Sequence, residues 1–279
     1  MSWSYQKEST WRQLPLPIPG VGRLADVAAS LASLPLLGTI LALLGLLVLG
    51  VVILAAVVLF VVLGPVAVPK ELASATARTT TVYGADGTPI ALWHGAINRQ
   101  PVSLDQISKY LPQAVVAEED ARYYSNPGVD ARSVLRAALA DLRSGKVVEG
   151  GSTITQQYVK VAYVGNKPSL SRKILEARIA LEISRHLSKA EVMNRYLNTV
   201  YFGNGAYGAQ AAAKAYFGED ASALTISQAA LLAGIIQSPD HDSPITNAAA
   251  AEIDRLRVIR RMELLGSISH AEEIGRAHV

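Results

Sequence analysis

A chain of 279 residues, half of them hydrophobic, with a net charge of +3 and no cysteine, has room for one membrane helix and one globular core. Without cysteine it has no disulfides, no thiolate nucleophile and no Cys-bound metal. So small a basic excess speaks against nucleic acid as a partner, because nucleic-acid binders concentrate far more positive charge on one face.

No charged residue occurs from Val27 to Pro69, and residues 36–63 form a dense run of Leu, Val, Ile, Ala and Gly. A helix needs about 20 apolar residues to cross the hydrocarbon core. One tilted transmembrane helix is therefore predicted over 36–63, behind a cytoplasmic N-terminal segment 1–35. A cleaved signal peptide fits less well, since its apolar core spans only about 7–15 residues. Lys7, Arg12 and Arg23 ahead of the run, against Lys70 and Arg78 behind it, favour an N-terminus inside.

Residues 76–102 are rich in Thr, Val and Tyr, and Asp86-Gly87 predicts a tight turn in a small β-hairpin. From Leu104 onward the pattern is helical. Ser188 to Glu191 and Thr225 to Gln228 are capping-box patterns, the second opening an apolar run from Ala229 to Ile236 that reads as buried. Gly150-Gly151, Gly203, Gly205 and Gly208 mark loops where backbone comes close to a neighbour. The fold class is mainly α with one small β element.

Three clusters could carry chemistry. Glu118-Glu119-Asp120 places three carboxylates at the end of an apolar segment, where mutual repulsion and burial would raise a carboxyl pKa toward the range useful to a general base. By pattern alone the same cluster reads first as an acidic helix end on the surface. Gly150 to Gln157, followed by Lys160, combines small residues with Ser152, Thr153, Gln156 and Gln157, a polar wall suited to sugar hydroxyls and phosphates. Ser152 or Thr153 also suits a helix N-cap. Arg172-Lys173-Ile-Leu-Glu176 puts both cations one helical turn from a carboxylate, either as a surface ion pair or as a site for a phosphate-bearing donor.

In this order the pieces resemble glycosyltransferase family 51, the peptidoglycan glycosyltransferases of class A penicillin-binding proteins and their monofunctional relatives. The resemblance rests on Glu119-Asp120 through Tyr123 to Gly128, on Gly150 to Gln157, on Arg172 to Glu176, on Lys189 to Asn198 and on Arg255-Leu-Arg-Val-Ile259. It covers residues 76–262, leaving 263–279 as a tail. Asn126, Asn194 and Asp254 depart from the family pattern, in which His, an acidic residue and Arg are usual.

The resemblance implies a lysozyme-like helical domain that takes lipid II and the growing glycan strand at the bilayer. It makes Glu119 and Glu176 the catalytic carboxylates, with Glu119 as base. Ser152, Thr153, Gln156, Gln157, Lys160, Arg172, Lys173, Asn198 and Arg255 become substrate-binding residues, the cations facing the pyrophosphate. It implies a protein of the bacterial cytoplasmic membrane, single-pass, with the catalytic domain outside and cell-wall synthesis proteins as candidate partners. No cofactor is required, although a divalent ion, Mg or Mn, could assist the pyrophosphate. No metal-ligand cluster stands out in the sequence. A peptidoglycan-cleaving enzyme or a non-catalytic wall-binding protein are the competing readings, the first opposed by the cations around Glu176. The ending Glu273 to Val279 matches one reading frame of a sequencing adapter, so the natural chain is expected to continue, into a penicillin-binding transpeptidase domain.

Overall fold

A computed structural model describes residues 38–57, 60, 64, 66–134, 136, 151–167 and 169–270. The expected segment 1–35, the ends of the expected membrane helix, Gly150 and the adapter-like ending 273–279 lie outside the described residues. The chain divides into two compact units, Met1–Val61 and Val62–Val279.

The first unit contains α1 (Gly38–Val57), 20 residues long and apolar apart from Thr39. At 1.5 Å per residue that is about 30 Å, the thickness of the hydrocarbon core. No charged side chain interrupts it, so length and composition alone qualify it to span a membrane.

The second unit is mainly α. After the short α2 (Ala73–Thr76), β1 (Thr80–Tyr83) and β2 (Pro89–Trp93) form the expected antiparallel hairpin, Thr80 opposite Trp93 and Val82 opposite Ala91. Asp86 closes the turn by accepting from the Thr88 amide at 3.0 Å and its hydroxyl at 2.6 Å. A second pairing was not legible in the sequence: β3 (Asn98–Arg99) runs parallel to β4 (Ala206–Tyr207), joining segments about a hundred residues apart.

The core is helical. α3 (Tyr110–Glu119) carries Pro112 in its first turn, where the missing N–H has no intrahelical partner to lose. It buries Leu111, Ala114, Val115, Val116 and Ala117. α4 (Ile154–Val159) is short and runs directly into a π-helical turn, Lys160–Val164. α5 (Leu170–His186), α6 (Lys189–Leu197), α7 (Ala209–Phe217), α8 (Ile226–Ile235) and α9 (Ala248–Leu264) follow. The capping boxes expected at Ser188/Glu191 and Thr225/Gln228 open α6 and α8.

The run read as buried is α8, whose Ala229, Ala230, Leu232, Ala233 and Ile235 are all inaccessible. α8, α3 and α9 pack against one another, and each Leu, Ile or Val buried in this layer contributes about 1.5–3 kcal/mol. Gly234 sets the spacing. A Cβ there would stand 3.0 Å from the Asp254 Cβ and 3.1 Å from its carbonyl carbon, so any side chain would push α9 away from α8. This layer holds the C-terminal end of α3, where the acidic cluster lies.

Candidate active site

The three carboxylates at the end of α3 go three ways. Glu118, whose side chain is 1% exposed, faces α9 and is neutralised by Arg261 at 2.6 Å and Arg257 at 3.1 Å. Asp120 has left the helix, with φ −156°, and accepts both bonds of the Asn126 amide, at 2.9 and 3.1 Å, and the Ile154 backbone N–H at 3.3 Å. Glu119 accepts a hydrogen bond from Gln157 Nε2 at 2.6 Å onto Oε2, and the Gln237 amide lies beside the carboxyl. Its Oε1 is buried with no hydrogen-bond partner.

Burial pushes the Glu119 carboxyl above the ordinary range, and the hydrogen bond from Gln157 opposes it. The Glu118 charge adds to the rise, while Gln237 and Arg261 pull back. Mutual repulsion of the three acids and burial were the expected causes. The structure puts desolvation first and shows Glu118 supplying the repulsion, while Asp120 is turned to the Asn126 amide and the Ile154 N–H. Asp120 is itself raised, by burial first, with Asn126 and the Ile154 amide opposing.

Gln157 connects the clusters. While its amide donates to Glu119, its carbonyl accepts from the hydroxyl of Tyr196 at 2.7 Å, a fully buried side chain on α6. At the other end of α4, Lys173 Nζ donates to Ser152 at 2.6 Å and to Glu176 at 2.7 Å. Arg172 reaches the second Glu176 oxygen at 2.9 Å. The spacing that predicted one turn of helix thus yields a carboxylate 1% exposed and doubly paired, not a surface ion pair. Arg172 Nε is buried and has no hydrogen-bond partner. Lys160 opens the π-helical turn and is half-buried; such turns recur at functional sites because they re-aim a side chain.

Four expected substrate contacts are committed to the protein itself. Thr153 is the N-cap of α4 and shares a capping box with Gln156, both almost fully buried. Thr153 also donates to the Gly128 carbonyl at 2.5 Å. Gly128 has φ +103°, and a Cβ there would meet the Ala180 carbonyl at 2.8 Å, so the first motif must end in glycine for this approach. Asn198 binds both backbone groups of Val102, at 2.9 and 2.8 Å. Arg255 is held by Glu252 and Ser227. These side chains fix the frame, because their polar atoms are spent inside it.

Sequence reasoning missed Tyr196, whose aromatic ring reads as core packing, and the pair Arg257 and Arg261. Their spacing of four on α9 was the available signal. It also missed that Asn126, a departure from the family pattern, links the first and fourth motifs by accepting from Lys189 at 3.1 Å. Among the described residues no group of three or more His, Asp or Glu side chains is placed to hold a metal.

The sequence model described as Transglycosylase matches residues 86–263. Penicillin-binding protein 1A/1B of Bacillus subtilis (strain 168) is 40% identical over 198 residues, covering 71% of this chain and 22% of that protein. Penicillin-binding protein 1A of Vibrio cholerae is 41% identical over 181 residues, 65% of this chain and 22% of its own length. That of Mycolicibacterium smegmatis is 40% identical over 212 residues, 74% and 27%. A crystal structure of penicillin-binding protein 1A from Haemophilus influenzae is similar at 20% identity and a TM-score of 0.40, covering 77% of this chain and 21% of that one. The chain spans roughly a quarter of the length of the curated relatives it matches.

Proposed function

The chain belongs to the transglycosylase family, and from that premise we propose that it is a peptidoglycan glycosyltransferase that lengthens glycan strands from lipid II. Glu119 takes the proton from the 4-hydroxyl of the acceptor sugar as that oxygen attacks the anomeric carbon of the donor. The C1–O bond to the pyrophosphate breaks from the opposite face, so the centre inverts and polyprenyl pyrophosphate leaves. Lys160, Arg172 and Lys173 stabilise the charge that develops on the departing pyrophosphate. Glu176 holds Arg172 and Lys173 in place and keeps their mutual repulsion in check. A divalent ion, Mg or Mn, would assist at the pyrophosphate oxygens, and no step above depends on it.

The observation that carries this reading is the asymmetry of Glu119. One oxygen is oriented by Gln157, and the other is buried with its lone pairs unused. A carboxyl so placed has a raised proton affinity and one free position at which to receive a proton. The apolar helix α1 supports a single-pass membrane location; the proposed reaction places the catalytic domain outside the bacterial cytoplasmic membrane, where cell-wall synthesis proteins would be its neighbours.

The test is polymerisation of purified lipid II by the full chain in detergent, with finished peptidoglycan as the parallel substrate. Glycan product from lipid II alone is the expected result. Cleavage of the finished polymer without any synthesis would overturn the reading in favour of a hydrolase.

A further inference from the structure

The hydrogen-bond chain from Tyr196 through Gln157 to Glu119 does more than pack three side chains together. Gln157 carries a donor and an acceptor at the end of one rotatable amide. An ionised carboxylate accepts only, so while Glu119 is charged the amide must present Nε2 to it, at 2.6 Å. Its carbonyl then faces the buried hydroxyl of Tyr196, at 2.7 Å, which must donate. Turning the amide over would set its oxygen against Glu119, an arrangement tolerable only when the carboxyl carries the proton.

We infer that Tyr196 is the positioning residue of the catalytic base: its hydroxyl fixes the Gln157 amide in the one orientation that supports ionised Glu119. This rests on the reading of Glu119 as the base. Tyr196 lies wholly inside the core, on α6, and touches no solvent. Its phenol is held neutral, pushed up by burial first and by the Glu119 charge second, so it stays a donor at every working pH. The other groups facing Glu119 are Glu118 on its own helix, Arg261 on α9 and Gln237 beyond α8. None of them controls the orientation of the Gln157 amide.

The chain also polarises in one direction. Each O–H or N–H in a buried series strengthens the next, so the Tyr196 hydroxyl makes the Gln157 amide a better donor to the carboxylate. Without it the Gln157 carbonyl loses its buried partner, and the amide gains by turning its oxygen to a protonated Glu119. Loss of the hydroxyl should therefore raise the proton affinity of Glu119.

The direct test is a carbon-13 NMR titration of glutamate carboxyls in the full chain in detergent micelles, with Glu119→Gln to assign the resonance. Tyr196→Phe should move the Glu119 titration upward by about one pH unit, a tenfold change in its ionisation equilibrium. Because a buried hydroxyl deletion can unsettle a fold, 3-fluorotyrosine at position 196 provides the converse. It keeps the shape, sharpens the donor and should move the titration downward. In a Gln157→Met background, Tyr196→Phe should have no further effect.

In polymerisation, Tyr196→Phe should shift the acidic limb of the pH–rate profile upward and leave the alkaline plateau in place, whereas a purely structural loss would lower the rate at every pH. An unmoved Glu119 titration in both Tyr196 variants, or an equal effect of Tyr196→Phe with and without Gln157, would overturn the relay. The titration needs no substrate. A chain that leaves lipid II unpolymerised would sink the proposed reaction alone, and an unmoved titration would sink the relay alone.

Discussion

Glu176 is buried and Glu119 half-buried with its Oε1 shut off from water, yet their surroundings are opposite. Glu176 receives Lys173 on one oxygen and Arg172 on the other, at 2.7 and 2.9 Å, so its charge is matched. Glu119 has no ion pair: it is met by neutral amides, Gln157 bonded to Oε2 and Gln237 beside the carboxyl, and its buried Oε1 has no partner within hydrogen-bond distance. The same side chain becomes an electrostatic anchor when burial comes with cations and a proton acceptor when burial comes without them. Glu118 repeats the lesson one residue away, because the arginines of α9 give it the fate of Glu176.

The contrast is tested hardest by removing each charge in turn. Glu119→Gln keeps the shape and should lower polymerisation by about 10²–10⁴-fold, the range that general-base catalysis supplies. Its effect on stability has the reverse sign of an ordinary paired acid. The folded-state pKa is raised above the ordinary value of 4.5 by burial, so the ionised form is disfavoured in the folded protein. The stability tied to this group is present at low pH and lost as pH rises through the raised pKa. Denaturant titrations of Glu119→Gln should therefore show no loss of stability at neutral pH, and any gain should fade as pH falls toward 4.5. The rate of the unaltered protein should climb with pH through that same raised pKa. A marked destabilisation at neutral pH would show that Glu119 is a structural acid like Glu176.

Glu176→Gln should fail in the complementary way. It leaves Arg172 and Lys173 without their counter-charge and should cost about 3 kcal/mol in the same titration, the low end for breaking a buried pair, since Lys173 keeps access to water. Equal stability of the two Gln variants would erase the distinction drawn between the acids.

Lys160 sharpens the pyrophosphate side. A phosphoglycolipid inhibitor of the moenomycin type should bind the purified chain, and Lys160→Ala should weaken that binding by about 1.5–3 kcal/mol, as for a lost hydrogen bond to a charged group. Arg172→Ala should weaken it comparably. Calorimetry showing unchanged affinity in both variants would place the anion elsewhere. The smallest effect belongs to the frame: Thr153→Ala should cost about 1 kcal/mol of stability through the lost cap, with KM for lipid II nearly unchanged.

Much of this was legible in advance because it is local. The hairpin turn at Asp86-Gly87, the boxes at Ser188 and Thr225, and the placement of Arg172 and Lys173 on Glu176 all follow from spacing within a few residues. The pairing of β3 with β4 did not, because two-residue strands carry no period to read. Thr153, Gln156 and Asn198 were read as substrate contacts, whereas their polar atoms are bonded within the fold. A motif marks where a residue is needed and is silent on which way it faces.

By itself the sequence determined the apolar span of α1, the helical class, the caps and the order of the five motifs, since each depends on neighbours three or four positions away. Only the tertiary structure decided which of three adjacent carboxylates is paired with arginines and which is met by a Gln amide. That choice is made by α9, which arrives more than a hundred residues later with Arg257 and Arg261 and takes Glu118, and by α4 and α6, which offer Glu119 no more than an amide backed by a phenol. Burial and charge at a point are sums over everything folded around it, and no local pattern contains that sum.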